Sequence, residues 1–282
     1  LDITTTAFSL SCLYASITHA AEVFPTKPVR MIVPFPVGGA TDILARVLSQ
    51  KIGEQIGYQV IVDNRPGAGG TIGARIAANA APDGYTLVLG TTSTHAIGPH
   101  LYSKRPYDPV TDFTHITQVA TSPIVMMVAS QVQAASLKDL IALAKAHPGK
   151  LNYGSSGVGT QFHLSGELLK LLAGINIVHV PYKGGGPALA AVMGGEVQAT
   201  FSNLSVALPQ VKGGKVRGIA VTSARRATLL PELPTVAEAA LPGLAGFEAI
   251  ASVGLLAPAG TPRALVLRVN RDVHTVMGEA AM

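Results

Sequence analysis

Residues 34–42 read PFPVGGATD, and residues 154–160 read GSSGVGT. Both stretches are dense in groups that can recognise an anion without a formal charge. Glycines let backbone N–H groups approach a ligand closely, and hydroxyls donate to carboxylate oxygens. In the first stretch Gly38 and Gly39 can reach dihedrals closed to other residues, and the prolines stiffen the loop so that less entropy is lost on binding. Phe35 can cover an apolar part of a ligand. Thr41 or Asp42 can cap the helix that starts near Ala40, leaving nearby N–H groups to face an anion at its positive end. The Asp42 carboxylate would repel an anion, so capping or positioning water suits it better than direct contact unless the ligand also carries an ammonium.

The second stretch offers Ser155, Ser156, Gly159 and Thr160 for the same purpose. His163, one turn into the next helix, reads as a structural hydrogen-bonder more readily than as a ligand contact. Ser93 and His95 follow the strand YTLVLG, at the strand end where α/β proteins hold ligands. Lys183 and Asn203 follow later strands. Lys183 could supply a charge, although a solvated lysine is the ordinary case. For either loop the plain alternative is a rigid turn with a capped helix and no ligand.

Catalytic chemistry finds little support. Gly154-Ser155-Ser156-Gly157 misses the G-x-S-x-G elbow because Val158 stands where glycine belongs. Gly67 to Gly73 is one residue too long for G-x-G-x-x-G. His95 and His100 lack metal-ligand partners at known spacing. No catalytic residue, metal or cofactor is expected.

These loops need elements to hold them, and the chain supplies a repeating strand, glycine-rich turn, helix. VRMIV leads into a helix with Leu44, Leu48, Ile52 and Ile56 on one face and Gly57 at its end. YQVIVDN and APDGYTLVLG are further strands. A second series starts at Ser136, where Ser136 and Asp139 suit a capping box. LNYGSSGVGT, INIVHVPY, VQATFSN and VRGIAVTS supply its strands. HITQVATSPIVMMVAS and FEAIASVGLLAPAGTP are long extended stretches, and PRALVLRVNRDVHTVM is the last helix. Strands alternating with helices predict mostly parallel sheets flanked by helices. Two such series joined by two long strands predict two α/β lobes with a double crossover and a shared cleft.

The 282 residues are 48% hydrophobic and 13% charged, which allows a sizeable core and excludes disorder. Mean hydropathy is +0.38, yet no apolar run is long enough to cross a bilayer. Net charge is +5, but the charges are scattered and there is no Trp, so nucleic-acid binding is not expected. Residues 1–20 resemble a signal peptide remnant, with the single cysteine, Cys12, inside the apolar stretch and Thr18-His19-Ala20 as a cleavage site. Cleavage there would leave a mature chain without cysteine, as suits a periplasmic protein.

Eight segments in order carry a resemblance: PTKPVRMIVPFPVGGATD, VDNRPGAGGTIGA, APDGYTLVLGTTSTHAIGP, PYDPVTDF, HPGKLNYGSSGVGT, VHVPYKGGGPAL, LPTVAEA and LLAPAGTP. From about Phe24 onward the chain resembles the extracytoplasmic solute-binding proteins of tripartite tricarboxylate transporters, the Bug family. That family usually has Pro where Val37 stands. Its chains continue past MGEAAM with a further strand and helix, so a truncated C-terminal part is expected. The resemblance implies a type II periplasmic binding protein of Venus-flytrap form. One lobe would comprise 24–123 plus 248–282, and the other 124–247. It implies capture of a small carboxylate (a di- or tricarboxylate, an amino acid or an aromatic acid) by backbone groups and ordered water, and delivery to a membrane permease. A monomer is expected. A ligand sensor signalling through a partner receptor would use the same fold, and an enzyme working in the cleft is the remaining alternative.

Overall fold

The computed structural model describes residues 24–278. The signal-like residues 1–20, Cys12 and residues 279–282 lie outside them.

The first half runs β1 (Val29–Val33), α1 (Ala40–Gln55), β2 (Val60–Asn64), α2 (Thr71–Ala78) and β3 (Thr86–Thr91). The long strand β4 (Phe113–Ala129) then leads to α3 (Leu137–Ala146), β5 (Asn152–Ser155), α4 (Gln161–Ala173), β6 (Val178–Pro181) and α5 (Gly185–Gly194). After β7 (Ala199–Asn203), α6 (Leu204–Lys212) and β8 (Val216–Val221), the chain returns through β9 (Ile250–Pro258) to α7 (Arg263–Gly278).

Local chemistry accounts for most of these elements. Four of the five residues of β1 are buried, as expected of a parallel strand covered on both faces. Helix α1 buries Ala45, Leu48, Ser49 and Ile52 at helical spacing and ends at Gly57, whose φ is +91°. Helix α3 has the full capping box: Ser136 Oγ accepts from the Asp139 N–H, and Asp139 accepts from the Ser136 N–H. Helix α6 has no counterpart in the sequence reading, because Pro209 sits inside it. The proline removes one backbone hydrogen bond, but burial of Leu204 and Ala207 keeps this short helix in place.

The strand order is β2-β1-β3-β9-β4-β7-β5-β6, with β8 also pairing with β4. Strands β1, β2 and β3 are parallel, and β9 runs against them. Strands β5, β6 and β7 are parallel, and β4 runs against β7 and β8. The first part of β4 pairs with β9 and its last part with β7 and β8, so it serves both sheets.

Three hydrophobic clusters form among the described residues, one of them on the far face of the first sheet around Ile32, Val88 and Phe113, and the other two lie on either side of the crossover. Of these two, one gathers Met31, Leu89 and Val273 with Val119 of β4 and Val253 of β9. The other gathers Met126, Tyr153, Leu169 and Phe201, and reaches Ala251 at its edge. The chain therefore passes between cores along β4 between Val119 and Ile124, and again along β9 between Ala251 and Val253. The molecule is a two-lobed α/β protein with a double crossover.

Candidate ligand-binding site

The parallel strands of both lobes deliver their C-terminal ends to one cleft, the position where such sheets hold ligands. From the first lobe come the loop after β1, with Phe35, Val37, Gly39, Ala40 and Thr41, and the end of β3, with Thr91 and Ser93. From the second lobe come Ser156 and Gln161 after β5, Gly185 and Gly186 after β6, and Asn203 after β7. Ser252 of β9 closes the floor. They line a cavity of about 70 Å³. A larger chamber of about 740 Å³ adjoins it across Phe35, Pro36 and Ser156, bordered by Gly69, Leu101, Tyr102, Gly159 and Lys183.

Among the described residues, no charged side chain lines the inner cavity. Its hydrogen-bond donors are backbone N–H groups, hydroxyls and the amides of Gln161 and Asn203. Helices α1, α4, α5 and α6 all begin at its wall, and none has a side chain of its own N-cap residue bonded to its first turn. Away from the cleft, α3 is fully capped. The first N–H groups of a helix need an acceptor, and the starts of α1, α5 and α6, aimed at one small space without a side-chain cap, offer donors suited to an anion.

The lobes touch around this cavity. The Gln161 N–H donates to Ser93 Oγ at 3.0 Å, so a first-lobe hydroxyl caps a second-lobe helix. The Gln161 side chain donates to the Ile250 carbonyl. Gly184 packs so closely that a Cβ there would lie 2.7 Å from Pro36 Cγ.

The structure places the expected site residues in three groups. Phe35, Gly39, Ala40, Thr41, Ser93, Ser156 and Asn203 line the inner cavity. Gly159 and Lys183 line the outer chamber. Gly38, Asp42, His95, Ser155, Thr160 and His163 line neither cavity.

Each of these placements has a physical reason. Asp42 does not cap α1, whose N-cap is Gly39. Its carboxylate, 2% exposed, reaches back to accept from the Gly38 N–H, and also accepts from Asn64 and Arg46. Burial pushes its pKa up, but the Arg46, Gly38 and Asn64 hydrogen bonds outweigh that and hold it below the ordinary carboxylate value. Gly38, at φ +81°, is turned so that its N–H serves this carboxylate. His95 packs edge-on against Phe113, with 4.7 Å between ring centroids, and borders a separate groove beside His115. Burial pushes the His95 pKa down to about 4. Ser155 and Thr160 are fully buried, and their hydroxyls bind within the loop. His163 accepts from the Gly159 N–H behind that loop.

Sequence reasoning missed Gln161, Ser202, Gly185, Gly186 and Ser252. Gln161 had a usable signal, as the first helical residue after a Ser/Gly loop. Ser252 had none.

Asp42→Ala should therefore destabilise the fold by about 2 kcal/mol, because it leaves the Gly38 N–H without an acceptor and leaves the Asn64 amide only the Phe35 carbonyl. Asp42→Asn should recover part of the loss. Thermal melting of the two variants checks the order.

The sequence model described as "Tripartite tricarboxylate transporter family receptor" matches residues 44–282. Protein BugT of Bordetella pertussis is 37% identical over 264 residues, covering 93% of this chain and 80% of that protein. Among solved structures, an R. palustris protein with adipate is 39% identical with a TM-score of 0.87, covering 90% of this chain and 84% of the other. MatC from Rhodopseudomonas palustris with bound malate is 34% identical with a TM-score of 0.84, covering 90% and 85%. Solved periplasmic binding proteins share the fold.

Proposed function

Because this chain belongs to the tripartite tricarboxylate transporter receptor family, a family of substrate-binding proteins and not of enzymes, we propose that it captures a small carboxylate in the interlobe cleft and hands it to a membrane permease. One observation carries the reading: helix starts without a side-chain cap, α1 from one lobe and α5 and α6 from the other, converge on a small cavity that, among the described residues, no charged side chain lines. Neutral donors can hold an anion when several converge at helix starts, directly or through bridging water. Relatives solved with adipate and with malate support a carboxylate as the ligand class.

In this reading Gly39, Ala40, Thr41 and Ser93 donate from one lobe, Ser156, Gln161 and Asn203 from the other, and Phe35 covers the ligand. The lobes comprise 24–123 with 248–282, and 124–247, and they close because contacts from both exist only in the closed form. The protein works as a monomer in the periplasm. Among the described residues no helix is long and apolar enough to cross a membrane.

A thermal-shift screen of adipate, malate, tricarboxylates, amino acids and aromatic acids tests the proposal. A bound acid should raise the melting temperature by mass action, by about 2.7 kcal/mol of stabilisation at a hundredfold excess over Kd. Silence toward every acid, with a shift for neutral sugars or cations, would refute it.

A further inference from the structure

Behind the second-lobe loop lies a polar cluster that no ligand contact explains. His163 of α4 and His179 of β6 stack with ring centroids 4.1 Å apart. The Gly159 N–H donates to His163 Nδ1 at 3.2 Å. Ser155 Oγ lies 2.6 Å from His179 Nε2 and also accepts from the Gly157 N–H at 3.1 Å. Each end of the turn is thus tied to one imidazole. Between those ties sits Ser156, which lines both cavities, and Gly159 lines the outer one. Neither histidine lines either cavity.

We propose that His163 and His179 are paired positioning residues that hold residues 155–159 in their binding shape, and that protonation of the pair releases this loop. The consequence for affinity rests on the carboxylate reading above, whereas the hold on the loop rests on geometry alone.

The proton logic follows from donor and acceptor roles. A backbone N–H can donate to His163 Nδ1 only while that nitrogen keeps its lone pair. Protonation sets N–H against N–H at Gly159, and two charged rings stacked this closely repel. The groups facing the pair come from two elements, α4 and β5. Glu167 and Lys170 lie on α4, with His163 Nε2 3.9 Å from Glu167 Oε1. Tyr153 of β5 donates to Glu167 at 2.7 Å and lies 3.1 Å from the His163 carbonyl oxygen, and Ser155 closes the β5 side. Glu167 favours a charged ring, but Lys170 holds it at 2.8 Å through both oxygens. In agreement, burial lowers the His163 pKa, with Glu167 opposing and Lys170 adding to the fall. Burial, and then His163, push His179 down to about 4.

The test pairs two variants. His163→Leu removes the acceptor. His163→Asn keeps an oxygen near the Nδ1 position but does not titrate. Hydrogen exchange of the peptide spanning 155–160 reads the loop, and calorimetry with adipate reads binding, each from about pH 7 to about pH 4, where the folded rings take up protons. At pH 7, His163→Leu should exchange about tenfold faster in the loop and bind about tenfold more weakly, while His163→Asn stays within about twofold of wild type. On acidification the ratio of wild-type to His163→Asn affinity should fall, since the titration of adipate itself cancels in the ratio. Wild-type exchange and affinity in a folded His163→Leu would overturn the proposal, as would a ratio unchanged by pH. Should His163→Leu fail to fold, the pH dependence of wild type against His163→Asn decides. If wild type binds no acid, the carboxylate reading falls while the exchange measurement still decides the hold on the loop.

Discussion

Gly39→Val is expected to fold like the wild-type chain and to bind its carboxylate about a hundredfold more weakly. Gly39 is the N-cap of α1, with φ −78° and ψ 164°, dihedrals open to any residue. A Cβ built there meets only the Pro36 carbonyl oxygen, at an ordinary 3.5 Å. The branched methyls would therefore enter the cavity and leave the fold undisturbed. That cavity holds about 70 Å³, so they would compete directly with the ligand. Calorimetry on a variant with an unchanged melting temperature is the check, and normal binding would refute close approach at this glycine. Gly184 could not serve the same purpose. Its φ of +125° strains any side chain, and a Cβ there collides with Pro36 of the other lobe, so folding and closure would fail together.

Lowering the pH from about 7 to about 4 is expected to cost on the order of 4 kcal/mol of folding stability. His95 and His179 are both pushed down to about 4 by burial, and His163 is lowered as well. In the unfolded chain an imidazole titrates near 6.5. Below that value the unfolded state takes up protons first. The stability these rings contribute is therefore complete above about 6.5, falls down to about 4, and levels off once the folded rings also protonate. Asp42, Asp63 and Glu167 are held below the ordinary carboxylate range by their partners. Their contribution is present above the unfolded carboxylate value near 4 and is lost as the pH falls further through their folded values. Denaturant titrations across this range measure the loss, and a stability flat between pH 7 and 5 would contradict the histidine burial.

The order of strands and helices could be read from sequence because its determinants are local. Apolar spacing marked α1, a run of buried residues marked β1, and Ser136 with Asp139 announced the cap of α3. The exception was α6, where Pro209 hid a helix that tertiary burial maintains. The two Gly/Ser loops were equally plain, because glycine and hydroxyl content states what a backbone can do wherever it sits.

Sequence by itself determined the fold class, the family resemblance and the Gly/Ser loops that border the cleft. Only the tertiary structure decided which atoms of those loops face it. Thr41 lines the cavity, while its neighbour Asp42 turns to Asn64, 22 residues away. Ser156 lines it, while Ser155 is taken by His179, 24 residues on. Ser93 faces the cleft, while His95 is drawn in among aromatic rings. Ser252 reaches the floor because β9 returns to pair with β3, and its N–H meets Thr92 Oγ1 across 160 residues. Composition sets what a loop can donate, but a side chain's direction follows from the partners that satisfy it, and those partners are far away in sequence.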